Sequence, residues 1–180
     1  MDVLTPQQRR YNMSRIRGRD TRPELLLRKG VHAAGLRYRL HARELPGRPD
    51  LVFPRHRAVL LVNGCFWHGH DCALFRMPAT NHEFWETKIA ANRARDRRNL
   101  LALCQADWRV LVVWECSLKG RSRRPLEDIL SETSAFVRGN ERFKEIAAVP
   151  GKAATATSLE RGSPGQLAPR PGVYLEPEGI

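Results

Sequence analysis

The sequence predicts an α/β domain in which a mixed β-sheet lies between helices. Three observations indicate this fold class. Residues 50–53 and 58–62 are short apolar segments separated by a basic turn, which is typical of a β-hairpin. Residues 108–114 form a nearly continuous apolar run, which favours a central strand covered on both faces. Helical patterns at residues 83–103 and 125–137 flank that run and would supply the covering helices.

The first twenty residues are predicted to form a basic arm that begins as a helix. Thr5 and Gln8 have the spacing of a capping box, and Pro6 suits the first helical position. Five arginines follow before residue 20, with apolar side chains among them. A second capping box, formed by Thr21 and Glu24, predicts the helix that opens the folded domain.

The composition changes after about residue 145. Before that point helical and strand patterns alternate, and residues 36–40 have the alternation of a half-buried strand. Beyond it the chain is rich in Gly, Pro, Ala, Ser and Thr and shows no periodicity, which is typical of a disordered or loosely attached tail. We therefore predict an arm at residues 1–20, one domain at residues 21–145 and a tail at residues 146–180.

The charge balance indicates a polyanionic partner. The 180 residues include 31 Lys and Arg against 19 Asp and Glu, a formal net charge of +12, and nucleic acid is the commonest partner of so basic a chain. The first ten residues lack the apolar part of a signal peptide, and no apolar run could span a bilayer. A cytoplasmic protein without membrane contact is therefore expected. In that reducing compartment cysteines are more often metal ligands or buried thiols than disulfides.

A segment rich in cysteine and histidine predicts a metal site. Cys65, His70 and Cys72 lie in an irregular segment, and Cys116 follows the strongest predicted strand. Three thiolates and one imidazole would complete the tetrahedron that Zn²⁺ prefers and leave no open position, which predicts a structural zinc ion. His68 is the competing imidazole. The alternative is that these cysteines are small buried apolar residues.

Asp50 is the candidate ligand for a catalytic metal ion. It follows a turn at residues 46–49 and opens the first strand of the predicted hairpin. A carboxylate at the mouth of a strand can bind Mg²⁺ together with a phosphate and waters. Such an ion polarises a scissile phosphate and lowers the pKa of a bound water. The alternative is that Asp50 caps the turn or pairs with Arg48.

His68 is the candidate proton acceptor. It follows the end of the second hairpin strand at Val62 and Asn63, within the segment that zinc would hold rigid. Because imidazole titrates near neutral pH, this side chain can take the proton of an attacking water. The alternative is a hydrogen-bonded histidine of the core or the surface.

Four apolar side chains lie where they could part stacked bases. Phe66 and Trp67 are neighbours in the irregular segment and cannot easily both face a core. Trp85 lies at the start of a basic helix, and Met13 lies among polar and basic residues of the arm. Proteins that separate stacked base pairs use apolar wedges among basic residues. The alternative is core packing, for which Trp85 is the strongest candidate.

Several segments of the chain resemble the very-short-patch repair (Vsr) mismatch endonucleases. The resemblance covers roughly residues 10–138, in order and with similar spacing. Family members have Thr at the position of Val62 and His at that of Asn63, so this chain lacks a possible second imidazole there. The matching segments are residues 12–13, 20–24, 45–50, 63–68, 78–80, 83–85, 95–98 and 108–116.

The resemblance implies a restriction-endonuclease-like fold and an enzyme that nicks DNA on the 5′ side of the T in a T·G mismatch. Such mismatches arise when 5-methylcytosine deaminates. The resemblance also implies that Asp50 and the main-chain carbonyl of Val62 bind Mg²⁺, that His68 is the catalytic imidazole and that Glu24 assists. The implied zinc ligands are Cys65, His70, Cys72 and Cys116, and the implied intercalating residues are Met13, Phe66, Trp67 and Trp85.

The expected partner is double-stranded DNA with a T·G mismatch. A functional link to a cytosine-5 DNA methyltransferase and to mismatch-repair proteins is expected, as is association with the nucleoid. One nick needs one active site, which favours a monomer. Two other functions compete with this one. A zinc-stabilised DNA-binding protein without catalysis would not need Asp50, His68 and Glu24 together, and a restriction-type nuclease on paired duplex would not need intercalating residues.

Overall fold

The computed structural model describes residues 5–14 and 18–149, without the side chains of Pro6, Arg9, Asn12 and Met13. The predicted tail from residue 150 onward lies outside the described residues. Within them the helices are α1 (Pro6–Ser14), α2 (Arg22–Ala33), α3 (His82–Gln105), α4 (Glu115–Leu118) and α5 (Leu126–Arg138). The strands are β1 (Arg39–Leu40), β2 (Leu51–Phe53), β3 (Ala58–Asn63), β4 (Arg109–Trp114) and β5 (Phe143–Ile146), and a 3-10 helix at Pro54–His56 joins β2 to β3.

Both predicted capping boxes are present at the starts of helices. The Gln8 N–H donates to Thr5 Oγ1 at 3.2 Å at the start of α1. The Glu24 N–H donates to Thr21 Oγ1 at 3.4 Å, and the Glu24 carboxylate accepts from the Thr21 N–H at 3.2 Å. These bonds satisfy N–H groups that have no partner within the helix, so the local sequence sets where α2 begins.

The five strands form one mixed sheet in the order β1-β2-β3-β4-β5. The predicted hairpin is confirmed, since β2 pairs antiparallel with β3 and Leu51 lies opposite Leu60. β4 lies parallel to β3 and to β5. The start of β2 therefore lies beside the end of β3, and Asn63 pairs with Trp114 where β3 and β4 end. The predicted α/β class with a mixed sheet is confirmed.

Helices cover both faces of the sheet, as the apolar run of β4 requires. Five of the six β4 residues are buried. On one face α2 and α5 pack against the sheet through Leu27, Val31, Ile129, Phe136 and Val137. On the other face α3 packs against it through Leu100 and Leu103, the segment after β3 through Cys65, and α4 through Cys116. None of the described helices combines the length and apolar character needed to cross a lipid bilayer.

Two strands differ from the sequence prediction. The segment at residues 36–40 is a strand only at Arg39–Leu40, because the three-residue β2 offers this edge strand few pairing partners. β5 was not predicted, since only Ile146 of its four residues is buried and the other three are half-buried. β5 ends one residue beyond the predicted domain boundary at residue 145.

Candidate active site and metal centre

Asp50 lies immediately before β2, beside the end of β3. The Val62 N–H donates a hydrogen bond to Asp50 Oδ2 at 2.7 Å. Because the N–H and C=O of one residue in a strand point to the same side, the Val62 carbonyl also points toward Asp50. Both residues line a cleft of about 540 Å³. The strand pairing thus places the Asp50 carboxylate and the Val62 main-chain carbonyl together at the wall of the cleft.

The Asp50 carboxyl group lies in a poorly solvated position. Its pKa is raised from 3.8 to about 6, mainly by burial; the Val62 hydrogen bond lowers this pKa and the nearby Glu24 carboxylate raises it. The nearby His41 and Arg28 side chains act in the lowering direction. At neutral pH the carboxylate is therefore ionised at a cost in free energy, and a bound cation would remove that cost.

His68 lines the same cleft and is oriented by a carboxylate from α3. Its Nδ1 lies 2.5 Å from Asp96 Oδ2, and both side chains are less than a quarter exposed. With the Nδ1–H donated to Asp96, Nε2 of the neutral ring is left free to accept a proton. Sequence reasoning missed Asp96, because it lies 28 residues from His68 and is surrounded by arginines.

The segment that carries His68 is fixed against α3. Gly69 has a φ of +60°, and a Cβ there would lie 2.7 Å from Ile89 Cγ2, so the close approach to α3 requires glycine. Asn92 Nδ2 donates to the Trp67 carbonyl at 2.9 Å. These contacts place His68 in the cleft, while the His70 ring stacks on Trp114 at 4.1 Å between ring centroids.

Four predicted metal ligands come together at the ends of β3 and β4. Cys65, His70, Cys72 and Cys116 each offer one ligand atom, and these atoms lie within 4.8 Å of one another. His70 Nδ1 is 3.7 Å from Cys65 Sγ and 3.6 Å from Cys116 Sγ. The imidazole of this group comes from His70, whereas the competing His68 faces Asp96. The cluster could hold a metal ion.

Hydrogen bonds around the sulfur atoms favour thiolate. The Cys116 N–H donates to Cys65 Sγ at 3.3 Å, and the Ala148 N–H donates to Cys116 Sγ at 3.4 Å. The hydrogen bond from the Cys65 thiol lowers the pKa of the Cys116 thiol to about 4. The same contact, together with burial, raises the pKa of Cys65. One thiolate is therefore stabilised here by the protein itself, and thiolate is the form that binds metal.

Glu24 is almost fully buried, with 1% of its surface exposed, in the first turn of α2. Its carboxylate forms an ion pair with Arg28 and lies 3.4 Å from His41 Nε2. His41 in turn lies 4.0 Å from Asp50 through its other nitrogen. Glu24 is thus connected to Asp50 through His41 and contributes negative charge beside it.

Three of the predicted intercalating residues form one aromatic cluster. The Phe66 ring centroid lies 5.1 Å from Trp67 and 5.2 Å from Trp85, and the two tryptophan rings are 6.0 Å apart. All three side chains are half-buried, and Lys88 Nζ lies within 6 Å of both tryptophan rings. Met13 belongs to α1, but its side chain lies outside the described part of the chain. The cluster presents aromatic surface next to a cation.

Comparison with known proteins decides the family. The DNA mismatch endonuclease Vsr of Escherichia coli (strain K12) is 43% identical over 145 residues, covering 81% of this chain and 93% of the relative. The chain belongs to the Vsr family. A family model described as DNA mismatch endonuclease Vsr matches residues 1–74.

Other relatives of this Vsr-family chain carry the name of nicking enzymes. The type II nicking enzyme V.XorIIP of Xanthomonas oryzae pv. oryzae is 51% identical over 117 residues, covering 65% of this chain and 86% of the relative. The type II nicking enzyme V.NmeAIP of Neisseria meningitidis serogroup A is 38% identical over 121 residues, covering 67% of this chain and 86% of the relative. The predicted resemblance is confirmed, and this Vsr-family protein is a DNA endonuclease, a hydrolase of phosphodiester bonds.

Proposed function

We propose that this Vsr-family endonuclease nicks one strand of double-stranded DNA on the 5′ side of the T in a T·G mismatch. The reaction is Mg²⁺-dependent phosphodiester hydrolysis, and it initiates very-short-patch repair after deamination of 5-methylcytosine. The observation that carries the proposal is the shared cleft, which Asp50 and His68 both line with their partners Val62 and Asp96. The mixed sheet with a carboxylate at the mouth of the hairpin supports a restriction-endonuclease-like fold.

The residues of the cleft fit a magnesium ion. Asp50 and the Val62 carbonyl offer oxygen ligands, and Mg²⁺ prefers one or two protein oxygens with the remaining positions left to phosphate and water. Burial raises the pKa of Asp50 to about 6, so a bound cation would stabilise its ionised form. When bound, Mg²⁺ supplies neutralisation of the phosphate charge and a water of lowered pKa.

His68 acts as the general base of this reaction. Its Nε2 accepts a proton from the attacking water while the water oxygen forms its bond to phosphorus. The bond to the leaving oxygen breaks, and that oxygen keeps the bonding electron pair and takes a proton from solvent. Asp96 holds the ring through Nδ1 and stabilises the imidazolium that results. Glu24 assists from the first turn of α2 through its negative charge beside Asp50.

The metal bound by the cysteine and histidine cluster is structural zinc. Zn–S and Zn–N bonds of normal length in a tetrahedron place sulfur and nitrogen about 3.5 Å apart. The His70 Nδ1 to sulfur distances of 3.6 and 3.7 Å agree with that geometry. Four protein ligands close the coordination sphere, so zinc ties the segment of His68 to the end of β4 without entering the reaction.

The aromatic cluster opens the duplex beside the mismatch. Phe66, Trp67 and Trp85 insert between base pairs, and Met13 of the basic arm inserts with them. Their half-buried rings next to Lys88 support this role, because apolar wedges beside cations both part the bases and hold the phosphates. Arginines of α3 would supply further phosphate contacts; these are Arg93, Arg95, Arg97 and Arg98.

The biological setting follows from this function. The protein acts as a monomer in the cytoplasm, associated with the nucleoid, and it works alongside a cytosine-5 DNA methyltransferase and mismatch-repair proteins. Residues 1–20 contact DNA, and residues 21–145 carry the endonuclease activity. The relatives named as nicking enzymes support a cut in one strand only.

The test uses end-labelled duplexes that contain T·G, T·A or C·G at one position, incubated with Mg²⁺. We expect the full chain to nick only the T-containing strand of the T·G duplex. Asp50→Ala should abolish nicking while DNA binding persists, and Asp107→Ala, on an exposed loop, should nick normally. Cutting of paired duplex would indicate a restriction-type nuclease, and binding without cutting would indicate a DNA-binding protein. Unchanged nicking by Asp50→Ala would rule out the proposed active site.

A further inference from the structure

The cleft contains a second imidazole that the reaction above does not use. His41 follows β1 and lines the cleft with Asp50 and His68. Its Nδ1 lies 4.0 Å from Asp50 Oδ1, and 23% of its side chain is exposed. Asn63, at the end of β3, lines the same cleft. The chain therefore brings a second imidazole to the site from a different part of the sequence.

Arg28 determines which nitrogen of His41 carries the proton. Its Nη2 lies 2.8 Å from His41 Nε2. Arginine is always charged and can only donate, so Nε2 must be the acceptor of this hydrogen bond. The neutral ring then carries its proton on Nδ1, the nitrogen that faces Asp50.

Arg28 is itself held in place by two carboxylates. Its side chain is 9% exposed, Nη1 donates to Asp20 Oδ1 at 2.6 Å, and Nη2 forms an ion pair with the buried Glu24. Asp20, Glu24 and His41 are spaced as metal ligands could be. The guanidinium contacts all three, however, so a cation from the protein already neutralises this group. The cluster is better explained as an anchor for Arg28 than as a second metal site.

The backbone of His41 supports a fixed role for its ring. Its φ is +47°, in the left-handed region that side chains with a Cβ rarely adopt. Such a conformation persists where surrounding contacts enforce it. Here the contacts to Arg28 and Glu24 hold the ring at the cleft.

We propose that Arg28 and His41 form a positioning pair for Asp50. Arg28 fixes the ring, and His41 presents its Nδ1–H to Asp50 Oδ1 while the Val62 N–H binds Oδ2. A shift of about 1 Å brings the Nδ1–H within hydrogen-bond distance. A donor on each oxygen fixes the plane of the carboxylate and leaves a lone pair for a metal ion. The inference rests on the proposed role of Asp50 as a magnesium ligand.

The test compares His41→Gln with His41→Leu. Glutamine can accept from Arg28 through its carbonyl and donate to Asp50 through its amide, whereas leucine can do neither. Binding of Mn²⁺ to the full chain is followed by the electron paramagnetic resonance signal of free Mn²⁺, with Asp50→Ala as the blank. Removing such an outer hydrogen bond costs about 10- to 100-fold in metal affinity. We expect at least a tenfold loss for His41→Leu and less than a threefold change for His41→Gln.

Nicking of the T·G duplex at increasing Mg²⁺ gives a second measurement. His41→Leu should need about tenfold more Mg²⁺ for half-maximal rate, with unchanged DNA affinity. His56→Leu, outside the cleft, should behave as the wild type. Arg28→Lys keeps the charge but loses the forked contact. Combined with His41→Leu, it should not increase the Mg²⁺ requirement further, since the two residues act as a unit.

The outcomes separate this inference from the proposed function. Wild-type Mn²⁺ affinity in His41→Leu, or equal losses in the Leu and Gln variants, would overturn the positioning pair. If the wild type binds Mn²⁺ at Asp50 and the variants differ as expected but no duplex is nicked, the proposed function fails and the pair stands. If Asp50→Ala binds Mn²⁺ as well as the wild type, both fail.

Discussion

His68 Nδ1 lies 2.5 Å from Asp96 Oδ2, a contact between the segment after β3 and the middle of α3. The carboxylate selects the tautomer whose Nε2 is free, and it compensates the positive charge that the ring gains on accepting a proton. A side chain of α3 thus orients the imidazole that we propose as the base.

Asp96→Asn is expected to slow single-turnover nicking by about 100-fold or more, within the range of a lost general base. The amide cannot stabilise the imidazolium, while the fold and the DNA contacts persist. The measurement is nicking of a labelled T·G duplex with enzyme in excess. Asp107→Asn is the matched control, since the side chain of that aspartate is exposed and pairs with Arg142 on the surface. A normal rate in Asp96→Asn would mean that His68 works without this partner.

Asp50→Asn is expected to stabilise the protein at neutral pH in the absence of added Mg²⁺. Burial raises the pKa of Asp50 from 3.8 to about 6 in the folded state. Between these values the folded state binds more protons than the unfolded state, so stability falls as the pH rises through this window. Asparagine does not ionise, and the expected gain in free energy of unfolding at pH 7 is at most about 3 kcal/mol.

Urea unfolding of both proteins at several pH values checks this prediction. The difference in free energy of unfolding should be smallest below about pH 4, where Asp50 is protonated in both states, and should grow up to about pH 6. A difference that does not change with pH would contradict the assigned shift.

The elements of the fold that follow from local sequence patterns were predictable. The contacts between side chains distant in sequence were not. The hairpin, β4, α3 and α5 have clear apolar periodicity. β5 was missed because three of its four residues are half-buried, so its pattern is weak. The cysteines and the histidine of the candidate metal cluster stand out by residue type. The contacts of Asp96 with His68 and of Arg28 with His41 depend on tertiary packing, and charged residues give no local signal of their partners.

Cys72→Ser is expected to reduce metal content and stability together. Cys72 belongs to the cluster with Cys65, His70 and Cys116, and loss of one ligand weakens a structural metal site that contributes to folding. We expect a loss of at least about 3 kcal/mol in free energy of unfolding. Zinc content by atomic absorption and unfolding in urea measure the two effects.

Cys104→Ser provides the matched control for this experiment. Cys104 packs against the same core but lies outside the cluster, and burial raises the pKa of its thiol. Its replacement should leave the metal content at the wild-type level. Equal metal loss in both variants would argue against a specific site.

Phe66→Ala combined with Trp67→Ala is expected to weaken binding to the T·G duplex by about 10- to 100-fold or more. Each stacked base contact is worth about 1–3 kcal/mol, and each 1.4 kcal/mol is tenfold in affinity. Binding to a paired duplex of the same flanks depends on phosphate contacts and should change little. Fluorescence anisotropy with both duplexes measures the two affinities. Equal weakening on both would assign the rings to general DNA contact.

The eight residues from Cys65 to Cys72 alternate between tasks: Cys65, His70 and Cys72 join the metal cluster, Phe66 and Trp67 form the aromatic surface, and His68 enters the cleft. Because one short segment carries all three groups, a loss of its conformation would disrupt them together. If the cluster holds a metal ion, as we propose, its removal would displace His68 from the cleft and the aromatic rings from the DNA together. The protein would then lose cleavage altogether and would not become a nuclease of relaxed specificity.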